Sequence, residues 1–173
     1  MVFGISLQTY TLLHVLISLI GIVTGFVVIS GFIRSKRLDG WQALFLLTTI
    51  LTSVTGFGFP FNGITPAIKL GVISLAVLAI AVLARYAFHF SGKWRAAYVI
   101  CACLAQYFNV FVLVVQSFEK IPALKGFAPT QQEPPFLVAQ LVVLAIFIAL
   151  TILSVKRFHL EPVAAGKSAG KAA

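Results

Sequence analysis

Of the 173 residues in this chain, 60% are hydrophobic and only 10% are charged, with a mean hydropathy of +1.05. Soluble domains average about 25% charged residues, so this composition excludes a soluble globular domain and predicts an integral membrane protein whose main partner is the lipid bilayer. The formal net charge of +9 falls in short segments between apolar stretches and near the C-terminus, a distribution typical of membrane orientation rather than of nucleic-acid binding.

Five apolar stretches are each long enough to cross a hydrocarbon core of about 30 Å, which takes roughly 20 helical residues. They predict an all-α bundle of five transmembrane helices, with spans near residues 7–33, 41–59, 67–88, 95–118 and 136–155, in a single domain of residues 1–161. Residues 162–173 contain mainly Ala, Gly, Lys and Ser, which cannot bury apolar area, and they predict a disordered basic cytoplasmic tail.

The first predicted span carries no charge before Arg34, whereas a secretory signal peptide has a positive segment before its apolar core. We therefore expect a retained span. Small and polar residues recur on one stripe of this helix and predict a helix-packing face: His14, Ser18, Gly21 and Gly25. A GxxxG pattern allows close approach of helices, either inside the protein's own bundle, which we favour, or between two copies in a homodimer. In the third span, Gly71 and Ser74 are further candidate packing residues.

The distribution of Lys and Arg predicts the orientation of the spans. Alternate connecting segments hold ten of the thirteen basic residues: Arg34, Lys36, Arg37, Arg85, Lys93, Arg95, Lys156, Arg157, Lys167 and Lys171. The remaining segments hold only Lys69, Lys120 and Lys125. Because cytoplasmic segments of membrane proteins are enriched in Lys and Arg, we expect the N-terminus outside and the C-terminus in the cytoplasm. Arg85 is expected at the cytoplasmic edge, where its side chain can extend to the headgroups.

Polar side chains of the predicted spans fall at similar depths, because a helix rises about 1.5 Å per residue. This arithmetic puts polar groups from every span in the outer half of the bilayer: His14, Thr52, Thr55, Lys69, Asn109, Gln116 and Gln140. Two interpretations remain open. These side chains hydrogen-bond one another and hold the helices together, or they line a cavity that opens outward. In the second case the lid would consist of residues 130–135 together with Phe57, Phe59 and Phe61.

No catalytic, cofactor-binding or metal-ligating motif is evident. The three histidines, His14, His89 and His159, fall at different predicted depths and cannot share one haem iron. No carboxylate lies inside a predicted span, and Ser-His-Asp, HExxH, CxxC and phosphate-loop patterns are absent. These absences argue against an enzyme without excluding one, and no cofactor is predicted.

Several stretches together carry a resemblance to a known group: residues 38–45 (LDGWQALF), 52–61 (TSVTGFGFPF), 84–86 (ARY), 109–116 (NVFVLVVQ), 121–124 (IPAL) and 129–136 (PTQQEPPF). They resemble an uncharacterised family of small multi-spanning bacterial inner-membrane proteins. The resemblance covers residues from about 12 to 158. It implies a bacterial cytoplasmic (inner) membrane location and brings no activity, cofactor or site residue with it.

The sequence leaves two main functional hypotheses. The first is a structural, accessory or assembly protein of a membrane complex, with other membrane subunits or a second copy of itself as partner. The second is a binder or transporter of a small polar or amphipathic molecule, quinone-like or lipid-like compounds included, through the outer polar residues. An enzyme that modifies quinones or lipids ranks behind both.

Overall fold

The computed structural model describes residues 4–61, 63 and 65–159, and the predicted tail of residues 162–173 lies outside this range. Every element of the described chain is helical: α1 (Leu7–Ile33), α2 (Asp39–Gly56), α3 (Pro66–Val82), α4 (Lys93–Lys120), α5 (Pro122–Phe127) and α6 (Pro134–Arg157). A π-helical turn, Leu83–Ala87, continues α3. No strand occurs within these residues.

Four helical segments of the described chain are long and apolar enough to cross a membrane: Leu7–Ile33, Pro66–Ala87, Lys93–Lys120 and Pro134–Arg157. The second predicted span, residues 41–59, forms a helix, α2, but it is not among these four. Its composition explains the difference: Asp39 and Gln42 fall in its first turn, and five Ser and Thr residues follow. The chain is therefore a helical protein with four candidate membrane-spanning helices, and α2 is a more polar helix packed between α1 and α3.

Local sequence signals account for where the helices begin. The Ser6 hydroxyl accepts a hydrogen bond from the Thr9 backbone N–H at 3.1 Å, and the Thr65 hydroxyl does the same for Ile68 at 3.3 Å. Such hydroxyl caps satisfy a backbone donor that the first helical turn leaves free. Prolines open α3, α5 and α6, where the missing N–H costs nothing.

Basic connecting segments meet at one end of the bundle, which we call the basic end. The Ser35 hydroxyl donates to the His159 backbone carbonyl at 2.7 Å, and Arg95 donates to the Phe158 carbonyl. The Arg37 guanidinium lies 5.1 Å from the centre of the Phe90 ring. The α1–α2 connection, the turn before α4 and the end of α6 are thus neighbours. The opposite end, where α1 begins, we call the N-terminal end.

The main apolar core lies towards the basic end and is built from large aromatic side chains. Phe32 packs against Phe158 at 4.9 Å between ring centres, and Phe90 packs against Tyr98 at the same separation. A smaller cluster at the N-terminal end joins α4 to the start of α6 through Phe118 and Phe136. The facing surfaces of α1, α2 and α3 at that end carry Ser, Thr and Gly, which fill less space.

Candidate functional site

A cavity of about 510 Å³ lies between α1, α2, α3 and α4 in the half of the bundle towards the N-terminal end. This volume is within the range of roughly 300–1,000 Å³ usual for small-molecule sites. Four residues of the predicted polar set line it: His14, Thr52, Asn109 and Gln116. Three candidate packing residues also line it: Ser18, Gly71 and Ser74.

His14 is held in place by α2. Its Nδ1 lies 2.8 Å from the Thr55 hydroxyl oxygen, and that hydroxyl is 2.6 Å from the Leu51 carbonyl oxygen. A hydroxyl has one hydrogen, so if Thr55 donates it to Leu51, the His14 ring must donate from Nδ1. In the neutral ring this assignment leaves Nε2 as a hydrogen-bond acceptor. Thr55 itself does not line the cavity and instead positions His14.

Aromatic rings pack beside His14 at the mouth of the cavity. Phe59 meets the His14 ring edge-on, with 5.2 Å between ring centres, and meets the Tyr10 ring at 5.1 Å. The Tyr10 hydroxyl donates to the Thr55 backbone carbonyl at 2.7 Å. Phe59 and Phe61 line the cavity, whereas Phe57 packs against Gly71 and is not part of the wall. Two of the three aromatic residues predicted for a lid therefore border the cavity.

Asn109 and Thr52 supply polar groups to the wall from α4 and α2. The Asn109 side-chain amide donates to the Thr49 hydroxyl at 3.3 Å, which ties α4 to α2. The Thr52 hydroxyl is buried and has no hydrogen-bond partner within the described residues. A buried hydroxyl without a partner is costly, and because this oxygen has almost no accessible surface, a molecule in the cavity does not reach it.

Charged side chains reach only the rim of the cavity. Glu119 and Lys120 form an ion pair at 2.9 Å between Oε1 and Nζ, and Gln116 lies 3.4 Å from the other Glu119 carboxylate oxygen. Both members of the pair are substantially exposed. Deeper in, the Ser53 and Ser74 hydroxyls pair at 3.1 Å between α2 and α3. The inner wall therefore combines apolar side chains such as Ile22 and Leu70 with polar groups that carry no charge.

Three residues of the predicted polar set do not line the cavity: Thr55, Lys69 and Gln140. Lys69 is exposed on α3 and does not line the cavity. Gln140 donates to the Phe111 carbonyl at 3.2 Å and links α6 to α4. No described residue of α6 lines the cavity, because α6 packs against another face of α4. Residues 130–135 also stay clear of it, with Gln131 donating to the Val115 carbonyl at 3.0 Å.

The GxxxG glycines lie where α1 meets α2 and α4. A Cβ placed on Gly21 would lie 3.3 Å from the Thr48 hydroxyl, and one on Gly25 would overlap the Gln106 carboxamide. Gln106 is fully buried and donates to the Ile22 carbonyl at 2.7 Å. Both glycines thus make contacts inside one chain.

A second buried polar cluster, which sequence reasoning missed, lies at the basic end. Arg85 is only 6% exposed and does not extend outward as expected. Its Nη2 lies 2.8 Å from the Asp39 carboxylate, and its Nη1 donates to the Gln42 side-chain carbonyl. The π-helical turn around Arg85 changes the direction of its side chain relative to an α-helix. The sequence signal that could have indicated this cluster is the i, i+3 spacing of Asp39 and Gln42, which puts both side chains on one face of α2.

Within the described residues, no group of three or more His, Cys, Asp or Glu is arranged to hold a metal ion. No protein-family model, curated protein or solved structure matches the chain. The proposed function therefore rests on the geometry of the cavity.

Proposed function

We propose that this protein binds a small amphipathic molecule within a membrane, in the cavity between α1, α2, α3 and α4. The observation that carries the proposal is the cavity itself. If the polar residues served only to hold the helices together, they would satisfy one another and leave no space between them. Instead, His14, Thr52, Asn109 and Gln116 border about 510 Å³ of space.

The alternative, a structural or accessory subunit, draws support from the exposed apolar surface of the helices. Leucine and valine side chains such as Val23 and Leu141 are more than 60% exposed in the single chain. Lipid tails cover such a surface as well as a partner subunit does, so this feature does not favour the alternative over a bundle in lipid. The cavity is the feature that distinguishes the two functions.

The proposed setting is a bacterial inner membrane, with five spans, the N-terminus outside and the cavity in the outer half. Support comes from the length of α2: its 18 residues correspond to about 27 Å at a rise of 1.5 Å per residue. The helix also makes contacts near both ends, with Arg85 at the basic end and His14 at the other. Because α2 runs alongside α1 over this length, we expect it to cross the same layer.

Cysteine labelling tests the orientation and the span count. In a background with Cys101 and Cys103 replaced by Ala, single cysteines replace the exposed Lys36, Lys93 and Lys125. We expect an impermeant thiol reagent to label intact cells only at position 125, because basic connections stay in the cytoplasm. Lys36→Cys and Lys93→Cys should react only after permeabilisation.

Each alternative topology gives a different labelling pattern. Labelling of positions 36 and 93 from opposite sides means that α2 does not cross and that the chain has four spans. Labelling of positions 36 and 93 from outside, with position 125 protected, reverses the orientation. Position 125 therefore serves as the internal control.

His14→Phe tests the binding function. The substitution removes the ring nitrogens from the cavity wall while keeping an aromatic ring between Phe59 and Thr55, so the fold should persist. We expect the variant to lose the small molecule that co-purifies with the wild-type protein in mild detergent, as read by native mass spectrometry. A melting temperature close to that of the wild type shows that the loss is local.

The matched control is His159→Phe, which changes an exposed histidine at the basic end, away from the cavity. It should retain the bound molecule. If His14→Phe unfolds the protein, or if the wild-type protein carries and binds no small molecule, the packing role is favoured instead.

A further inference from the structure

The cavity has a side opening between α1 and α4. Among the large apolar side chains that line the cavity in the described part of the chain, the four most exposed are Val15 and Leu19 on α1, each 43% exposed, and Val112 and Leu113 on α4, 39% and 38% exposed. A side chain with both properties marks a point where the internal space reaches the surface. α1 and α4 are neighbours that approach closely at Gly25 and Gln106. The opening therefore lies in the seam between them, on the N-terminal side of that crossing.

The character of this opening differs from that of the inner wall. On both sides it is built from Val and Leu, which suits an alkyl chain or lipid tails. The inner wall adds the Asn109 carboxamide and the His14 imidazole to apolar side chains such as Phe108. An apolar opening and an interior with a few polar groups match a molecule with a polar head and an apolar tail.

The head group must be uncharged. Among the described residues that line the cavity, only Glu119 and Lys120 are charged, and they pair with each other at the rim. A phosphate or carboxylate inside would find no cation, and burying an unpaired charge costs far more than burying a hydrogen-bonded neutral group.

The polar groups and the aromatic rings together fit a planar ring that carries oxygen atoms. The second N–H of the Asn109 amide can donate to a carbonyl oxygen, and the His14 Nε2 can accept from a ring hydroxyl. Phe59, Phe61 and Phe108 line the cavity and offer aromatic contact to a flat ring.

We propose that the cavity binds a lipid-soluble quinone or quinol, with its ring between His14 and Asn109 and its tail passing between α1 and α4 into the membrane. This proposal rests on the proposed binding function and adds the chemical class and the route of entry. It concerns binding only.

The test compares two probes that share one ring. The first is a fully substituted benzoquinone with a short alkyl tail, and the second is the same ring without the tail. Full substitution prevents addition of the thiols of Cys101 and Cys103 to the ring. Affinities are measured with the full chain in lipid nanodiscs by isothermal titration.

Leu19→Trp places a bulky ring in the opening, and Leu16→Trp is its matched control. Leu16 is a comparably exposed leucine on the same helix that does not line the cavity. We expect Leu19→Trp to weaken binding of the tailed quinone about tenfold or more, about 1.4 kcal/mol or more. It should leave binding of the tailless ring largely unchanged, and Leu16→Trp should leave both probes unchanged.

Other results overturn the proposal in distinguishable ways. Undiminished binding of the tailed quinone to Leu19→Trp, or equal loss of both probes, rules out the route between α1 and α4. If an anionic phospholipid occupies the cavity and neither quinone binds, the chemical class is wrong while the binding function stands. If no small molecule of any class binds the wild-type chain, the proposed function itself fails.

Discussion

Arg85→Met is expected to lower the free energy of unfolding by about 2 kcal/mol, because it leaves the Gln42 side-chain carbonyl buried without its donor. Methionine keeps most of the apolar stem of arginine, so little packing is lost. The substitution also removes the ion pair between Arg85 and the Asp39 carboxylate, the 2.8 Å contact that links α2 to the end of α3. Thermal or denaturant unfolding in a mild detergent measures the change.

Arg37→Met is the matched control, since Arg37 binds the same Asp39 oxygen at the same 2.8 Å. Both members of that pair are about half exposed, at 50% and 53%, and exposed pairs contribute about 0–1 kcal/mol. Partial burial acts to raise the pKa of Asp39, but hydrogen bonds from Arg37 and Arg85 outweigh it and hold that pKa below its ordinary value. The carboxylate therefore stays ionised at neutral pH in either variant.

Comparing the two variants distinguishes the effect of losing the buried contact to Gln42 from the effect of losing an ion pair with Asp39. If the two variants lose equal stability, or if Arg85→Met loses none, the buried contact to Gln42 contributes nothing beyond a surface ion pair. A larger loss for Arg85→Met identifies this contact as what holds the basic end together.

Helical periodicity was enough to find part of the cavity wall. The stripe on α1 put His14 and Ser18 on a packed face, and the depth arithmetic set Asn109 and Thr52 at comparable levels. The structure brings these four residues to one cavity. Helical periodicity predicts which face of a helix a side chain lies on, and the helical rise predicts its depth; both follow from the sequence alone.

The order of the helices around the bundle is not given by periodicity. Gln140 has a suitable depth, yet it lies on a helix that packs against a different face of α4 and bonds to Phe111. The direction of the Arg85 side chain could not be predicted either. A π-helical turn changes the angle at which side chains leave the helix, and it has no simple sequence signature. Span length was predictable for the four most apolar helices, while the polar first turn of α2 weakens the same signal.

The position of the cavity follows from side-chain size. Towards the basic end, rings such as Phe32, Phe45 and Tyr98 fill the space between helices. Towards the N-terminal end, the facing positions of α2 and α3 include Ser53, Gly56 and Gly71, which line the cavity. Small residues permit close helix packing only where the backbones converge, as at Gly25. Where the helices diverge, the same residue types leave space that a ligand can fill.

Gly25→Ala is expected to destabilise the protein by about 2–3 kcal/mol, because the added methyl group takes the space of the Gln106 carboxamide. Gln106 is fully buried, so its side chain has little room to move, and displacing it breaks its bond to the Ile22 carbonyl. A buried amide left without that partner adds to the steric cost. Thermal unfolding in detergent measures the loss.

Gly21→Ala is the same change one turn earlier in the same GxxxG pattern, and it serves as the control. Its Cβ would meet the Thr48 and Thr49 hydroxyls at 3.3 and 3.4 Å, a tight contact that small shifts relieve, so we expect a loss of no more than about 1 kcal/mol. Neither variant should change the oligomeric state, since both glycines contact residues of their own chain. If both dissociate a wild-type dimer to the same extent, the motif acts between two copies and the internal packing role is wrong.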